Sequence, residues 1–341
     1  MKSDHPVVGV FGHYGNHNLG DESIIEASIS HIRLRLPNAE ICCFSLRPKD
    51  SARRHQLESY GIRFVSEGYG PLKPEQAPPA DNMPWHIHAE KVAQGINPDD
   101  YSTGDSTLGL KERIKRLPLI GTCTKVLIRT IHRSQTLKNE AEYLLNSRNY
   151  LKKFDLIVVA GSNQFLDNFG GAWQFPYTLL KWTLLAKLTG TKIAFASIGT
   201  NPLEESLSSK MICAALRKAD YLSYRDEASK DLIESSSPDF SGEIYPDLAF
   251  GLDCPPVEKK DAREKPLIGI NPMPVYDYRY WCVRDDGQYH AYVVKLARFA
   301  ERLITDGYPT LFFPTMWRDN YVITDILNEM NPNIRSKIED S

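Results

Sequence analysis

A chain of 341 residues with 42% hydrophobic and 25% charged residues has ordinary globular composition and is long enough for two domains. Lys+Arg 41 against Asp+Glu 43 leave a formal charge of −2, which excludes nucleic-acid binding driven by net charge. No apolar run reaches membrane-spanning length and no secretory signal opens the chain. The scattered cysteines Cys42, Cys43, Cys123, Cys213, Cys254 and Cys282, without CxxC spacing, therefore read as reduced thiols of a cytoplasmic protein.

Val7, Val8, Val10 and Phe11 form a short apolar run of strand type. Gly12, Gly15 and Gly20 punctuate the polar turn that follows, which carries His13, Tyr14, Asn16, His17, Asn18 and Asp21. Ile25, Ile29, Ile32 and Leu36 then recur at helical spacing, with Asp21 or Ser23 placed to cap the first turn. Strand, glycine loop and helix open an α/β domain, and such a loop leaves backbone N–H groups where an anion can sit. The spacing is neither GxGxxG nor a Walker loop, which weighs against dinucleotide and ATP binding.

Residues 40–46 predict a second strand, 50–60 a polar helix and 62–65 a third strand, so the sheet is parallel with right-handed crossovers. Residues 68–109 read as an irregular excursion, and His86 and His88 within it as surface-loop residues rather than a metal pair. Eight basic residues and Glu112 alone occupy 111–138; a helix there sets Lys125, Arg129 and Arg133 on one stripe. That stripe is either a solvated face or a patch for an anionic acceptor or a membrane surface.

The strand at 154–160 runs into a polar turn, Gly161 to Asp167, where open α/β sheets place ligands. An apolar helix over 173–188 follows, with Trp173, Phe175, Tyr177 and Trp182 read as core. Further strands are predicted at 192–198, 220–224 and 243–245, with helices at 206–219 and up to Glu234. The proline-bounded, charged segment 255–266 is the linker candidate. After it come a strand at 267–271, a helix at 289–306, a strand at 310–314 and a helix at 321–330.

Four stretches together resemble the polysaccharide pyruvyl transferase family: the Gly15–Asp21–Glu22 loop, the turn ending in Asp167, Tyr224-Arg225-Asp226 with Ser229, and Pro246-Asp247-Leu248-Ala249-Phe250. The resemblance covers nearly the whole chain outside the 68–138 excursion. It implies two Rossmann-like α/β domains facing across a cleft, similar to glycosyltransferase-B folds. The first spans 1–254, with an insertion at about 66–138, and the second spans 255–341 and reads as incomplete. It also implies transfer of the pyruvyl group of phosphoenolpyruvate onto paired sugar hydroxyls as a cyclic ketal. The chain departs from the family at Ser162, where a second glycine is usual, and in lacking a Ser-x-Arg-x-His element after Pro255.

This chemistry needs cations and aimed N–H groups for a donor bearing carboxylate and phosphate, and acid–base groups for the ketal. Gly15, Asn16, Asn18, Gly20, Asn163 and Arg225 are the expected donor-binding residues, with Asp21 and Arg225 as the catalytic pair. Arg225 reads equally as a helix-start residue paired to Asp226 or Glu227, and Asp21 as a base, a hydroxyl acceptor or an N-cap. His13, Gln164 and Asp247 are the expected acceptor contacts. Neither a metal nor a cofactor beyond the phosphoenolpyruvate co-substrate is expected. The acceptor is a saccharide, lipid-linked if Lys125, Arg129 and Arg133 meet the inner face of a membrane. A nucleotide-sugar glycosyltransferase and a non-catalytic glycan-binding relative are the alternatives.

Overall fold

The computed structural model describes residues 5–15, 18–64, 69–77, 121–168, 170–236, 239–254, 265–281 and 283–338, the side chains of 121–135 excepted. Strand β1 (Val7–Phe11) lies between β2 (Glu40–Ser45) and β4 (Leu156–Ala160), all three parallel. Outside β2 lies β3 (Ser59–Gly61), and beyond β4 follow β6 (Lys192–Thr200), β7 (Tyr221–Tyr224) and β8 (Glu243–Ile244). The short β5 (Asn163–Phe165) pairs with the end of β6 and completes an eight-stranded sheet. The chain winds one way from β1 to β3 and the other way from β4 to β8. The reversal therefore falls between β1 and β4, and ligands of such sheets bind at the carboxyl ends of the strands there.

Both faces of the sheet's centre are covered, which is why β1 and β4 are near-continuous apolar runs. Helix α1 (Leu19–Arg35) lays Ile24, Ile25 and Ile29 on Val10, Ile41, Cys43 and Ala160. Helix α2 (Pro48–His55) follows β2, and α3 (Gly121–Leu151) leads into β4. On the other face α4 (Phe175–Thr189) brings Trp182 edge-on to Phe11 and Phe44, at 5.8 and 5.1 Å between ring centroids. Trp182 donates its Nε1–H to the Ile62 carbonyl at 2.9 Å, so the ring is buried with its polar edge satisfied. Cys42 and Cys43 alternate between the two faces, and burial pushes both thiols up to about 12. Helices α5 (Ser206–Leu216) and α6 (Glu227–Ser236) follow β6 and β7.

A separate two-stranded parallel sheet pairs β9 (Ile268–Ile270) with β10 (Thr310–Phe312). Helices α7 (Asp286–Thr305), α8 (Asp319–Glu329) and α9 (Pro332–Arg335) accompany it. Val293, Ala297, Ala300, Phe312, Val322 and Ile326 form its own core. The Leu19 amide of α1 donates to the Thr315 carbonyl beyond β10 at 2.9 Å, so this unit touches the start of α1.

Several expectations are corrected. The helix predicted to Tyr60 ends at His55, because Gln56 turns left-handed at φ 52°, and the next strand is Ser59–Gly61 rather than 62–65. Trp173 is 67% exposed and lies ahead of α4, so of the four aromatics there Trp182 is the deeply buried one. The turn after β4 contains a strand of its own, β5. The described part of the irregular excursion, 69–77, is tied to the sheet through an antiparallel bridge between Ser59 and Leu72. His86 and His88, the linker at 255–264, and the side chains of Lys125, Arg129 and Arg133 lie outside the described residues, although the backbone of that basic stretch is helical within α3. Among the described residues no helix is long and apolar enough to cross a membrane, and no three His, Cys, Asp or Glu side chains are grouped to hold a metal ion.

Candidate functional site

The loop after β1 is held from behind. Tyr14 is buried and donates its hydroxyl to the Val10 carbonyl at 2.8 Å, and its own carbonyl accepts from the Leu46 amide at 3.1 Å. Gly15 sits at φ 88°, the left-handed region that favours glycine, and its amide donates to Glu22 Oε1 at 2.9 Å. Glu22 is buried and takes a second contact from His55 Nε2 at 3.0 Å, while His55 Nδ1 lies 3.1 Å from Glu26. The loop's shape is thus set by a buried carboxylate on α1, the kind of support that fixes a ligand-facing backbone before a ligand arrives.

Three amides of this stretch are already engaged within the protein. Gly15 N–H is taken by Glu22, Gly20 N–H by the Asn18 side chain at 3.0 Å, and Leu19 N–H by Thr315. Asn18, rather than Asp21 or Ser23, is the N-cap, because α1 starts at Leu19, two residues earlier than Asp21. Asp21 is left in the first turn, where the helix dipole favours its charge. Asn16 and His17 lie outside the described residues.

Asp21 meets the loop after β4. Ser162 donates its Oγ–H to Asp21 Oδ1 at 2.6 Å, and Ser162 stands at φ 57°. A serine in that region holds a conformation that glycine adopts without cost; strain of about 1 kcal/mol is offset by the charge-assisted bond to Asp21. This accounts for the serine where a second glycine was expected. Burial raises the Asp21 carboxyl above its usual range, with the charges of Glu22 and Asp247 adding and the Ser162 bond opposing.

Arg225 leaves the carboxyl end of β7 and turns toward the reversal. Its Nη2 donates to Asn163 Oδ1 at 2.9 Å, its Nε lies 3.3 Å from Asp226 Oδ2, and its Nη1 lies 3.5 Å from Asp247 Oδ2. The guanidinium is 28% exposed, and its strongest partner is a neutral amide. Its ionic contacts are long, so it retains attraction for a further anion. Asp226 also caps α6, accepting from the Ser229 amide at 2.7 Å. Asp247 accepts from the Ala249 amide at 3.0 Å and starts the 3-10 turn Leu248–Gly251, which packs on α1. Asn163, Arg225 and Asp247 therefore form one cluster, linked electrostatically to Asp21 through Asp247.

His13 and Gln164 form a second cluster. Both are buried, with His13 Nδ1 at 2.5 Å from Gln164 Oε1 and the imidazole over Phe175 at 3.7 Å between centroids. Asn163 and Gln164 are neighbours in β5, so alternation sends the first toward Arg225 and the second toward His13.

The second unit approaches the Asp21 side. The Tyr280 hydroxyl feels the charge of Asp21, and Arg318 lies 4.2 Å from the Tyr280 ring centroid. Arg279 is committed to its own unit, with Nη2 at 2.7 Å from Asp277 and 2.8 Å from the Tyr289 hydroxyl.

Sequence reasoning named Glu22 and Ser162 without giving either the role seen here, and it missed Gly199. A Cβ at Gly199 would stand 2.8 Å from Arg225 Nη2 and would overlap the Asn163 side chain. Gly199→Ala is therefore expected to drive Asn163 and Arg225 apart. Loss of that one charge-assisted bond corresponds to about a ten-fold weaker grip on an anionic ligand. Phosphoenolpyruvate titration of the variant, with circular dichroism to show an unchanged fold, measures this.

No curated protein matches the chain in sequence. A solved structure of E. coli ADP-heptose LPS heptosyltransferase II aligns over 98% of this chain and 71% of its own, with a TM-score of 0.32 and 11% identity. Residues 18–340 match the model of the polysaccharide pyruvyl transferase family, and the chain belongs to that family.

Proposed function

We propose that this transferase takes the pyruvyl group from phosphoenolpyruvate and places it on two hydroxyls of a saccharide as a cyclic ketal. The observation that carries the reading is Arg225, a partly exposed guanidinium at a strand's carboxyl end whose shortest bond is to a neutral amide. A guanidinium grips a carboxylate or phosphate in two places, and Asn163 beside it supplies an amide N–H₂ toward the same anion. Because the glycine-loop amides are engaged, donor binding falls to these two side chains rather than to Gly15 and Gly20.

The reaction needs a proton delivered to the donor's methylene carbon, making the adjoining carbon electrophilic. One sugar hydroxyl adds to that carbon and a second displaces phosphate from it, each losing its proton. One of those protons balances the proton taken up by the methylene and the other leaves with phosphate. Asp21, with a raised pKa at the reversal of the sheet, is the group we assign to accept a hydroxyl proton. Asp247 lies between Asp21 and Arg225 and orients the arginine.

Thermal unfolding with added ligand tests the reading. Phosphoenolpyruvate at a hundred times its dissociation constant should stabilise the fold by about 2.7 kcal/mol, and a nucleotide sugar should not. With a glycan acceptor present, pyruvate should be released from the product by mild acid. Protection by the nucleotide sugar alone would move the chain to another transfer reaction.

A further inference from the structure

Arg63 follows β3 at the same edge of the sheet as the loops after β1 and β4, and it enters the His13–Gln164 cluster. Its Nε donates to Thr178 Oγ1 at 3.1 Å and its Nη1 to Gln174 Oε1 at 2.5 Å, both neutral acceptors. Its Nη2 is buried and has no hydrogen-bond partner among the described residues. His13 Nε2 is likewise buried and unpartnered there, on a side chain that is 94% buried by its 6% exposure. Both groups rest on one ring: Phe175 lies 3.7 Å from the imidazole centroid and 5.1 Å from the guanidinium carbon.

Two buried polar atoms left open on residues that share one aromatic contact, with the charge of one acting on the other, are uncommon, and each costs about 1–3 kcal/mol while unpaired. Their chemistry differs. Gln164 Oε1 can only accept, so His13 Nδ1 carries the hydrogen and Nε2 offers a lone pair. Burial first, and the Arg63 charge second, keep this imidazole neutral. Arg63 offers N–H and positive charge, and no carboxylate of the described residues answers it. The carboxylate of Glu140 is engaged instead by Lys181 at 2.9 Å and Tyr177 at 3.1 Å. The N-terminus of α4 starts at this point, and Gln174 makes no side-chain cap there, so its dipole adds to the positive potential.

We infer that Arg63 and His13 form a subsite for an acidic saccharide, in which an anionic group accepts from Arg63 Nη2 and a neighbouring hydroxyl donates to His13 Nε2. The inference rests on reading the crevice as a saccharide-binding transferase site, and it adds that the sugar is charged. A uronate carboxylate and a sugar phosphate carry the same chemistry: one anion beside a hydroxyl. A neutral sugar lacks the anion and leaves the guanidinium uncompensated.

The test is titration calorimetry of the full chain with methyl glucuronide, glucose 1-phosphate and neutral methyl glucoside, each with and without phosphoenolpyruvate. At least one acidic sugar should bind ten-fold or more tightly than the neutral one, and the tighter of the two identifies the anion. Arg63→Gln should remove that preference while leaving phosphoenolpyruvate affinity unchanged. Arg63→Lys keeps the charge without the fork, and should retain part of the preference if the glutamine variant does not fold. Equal binding of neutral and acidic sugars, no binding of acidic sugar, or an acidic preference untouched in both variants overturns the subsite. Acidic-sugar binding without any phosphoenolpyruvate binding leaves the subsite standing and removes the pyruvyl donor instead.

Discussion

Arg225→Ala is expected to weaken phosphoenolpyruvate binding by about ten- to a hundredfold, the worth of a charge-assisted contact of roughly 1.5–3 kcal/mol. The fold should survive, because this side chain is partly exposed and holds no apolar core together. Its two acidic neighbours, Asp226 and Asp247, are 45% and 24% exposed and can be hydrated once the guanidinium is gone. Arg225→Lys should fall between, since a lysine keeps the charge but cannot span two oxygens of one anion. Calorimetry on the folded variants decides. A wild-type affinity in Arg225→Ala would leave Arg225 as the helix-start residue paired to Asp226.

Asp21→Asn should separate stability from turnover. Burial is the main reason that the Asp21 pKa is raised, so the folded protein binds this proton more tightly than the unfolded chain does. The ionised group therefore costs stability. That cost is absent below the unfolded value of about 3.9, grows as pH rises through the window between the two pKa values, and is complete above the folded one. Asparagine removes it while its carbonyl still accepts from Ser162. Asp21→Asn should raise Tm at pH 7, with a gain that vanishes on acidification toward pH 4. Turnover should fall by about 10²–10⁴ if Asp21 is the base. Wild-type turnover in a stabilised variant would reduce Asp21 to a half-buried acid of α1.

The parallel sheet was legible because its strands announce themselves: Val7–Phe11 and 154–160 are apolar runs between polar turns, and the period of the following helices is clear. The Arg225–Asn163–Asp247 cluster was legible in part, since each residue follows a strand and open sheets gather such residues at one edge. Glu22 was not. A glutamate in a first helical turn reads as solvated, and only the return of the Gly15 amide, with His55 behind it, makes it a buried strut. Ser162 read as a loss of glycine, and its bond to Asp21 depends on a left-handed backbone that sequence spacing does not disclose. The opposed directions of Asn163 and Gln164 required knowing that three residues of a polar turn are a strand. Arg63 read as one basic residue of a short strand, and nothing local marks it as lacking an acidic partner.

The bond from Leu19 to Thr315 ties the two sheets together at the end of α1 that attracts anions. Thr315 is itself fixed, its amide donating to Asp319 at 2.9 Å, with Asp319 buried. One amide hydrogen serves one strong acceptor at a time. A ligand oxygen that captured it would release Thr315, so its affinity and the docking of the second sheet would be opposing quantities. An oxygen held by Arg225 alone would leave the docking undisturbed. Thermodynamic reciprocity then sets the sign of remote effects: a change near Asp319 that loosens Thr315 strengthens the first kind of ligand by the factor that the ligand loosens Thr315, and leaves the second kind unmoved.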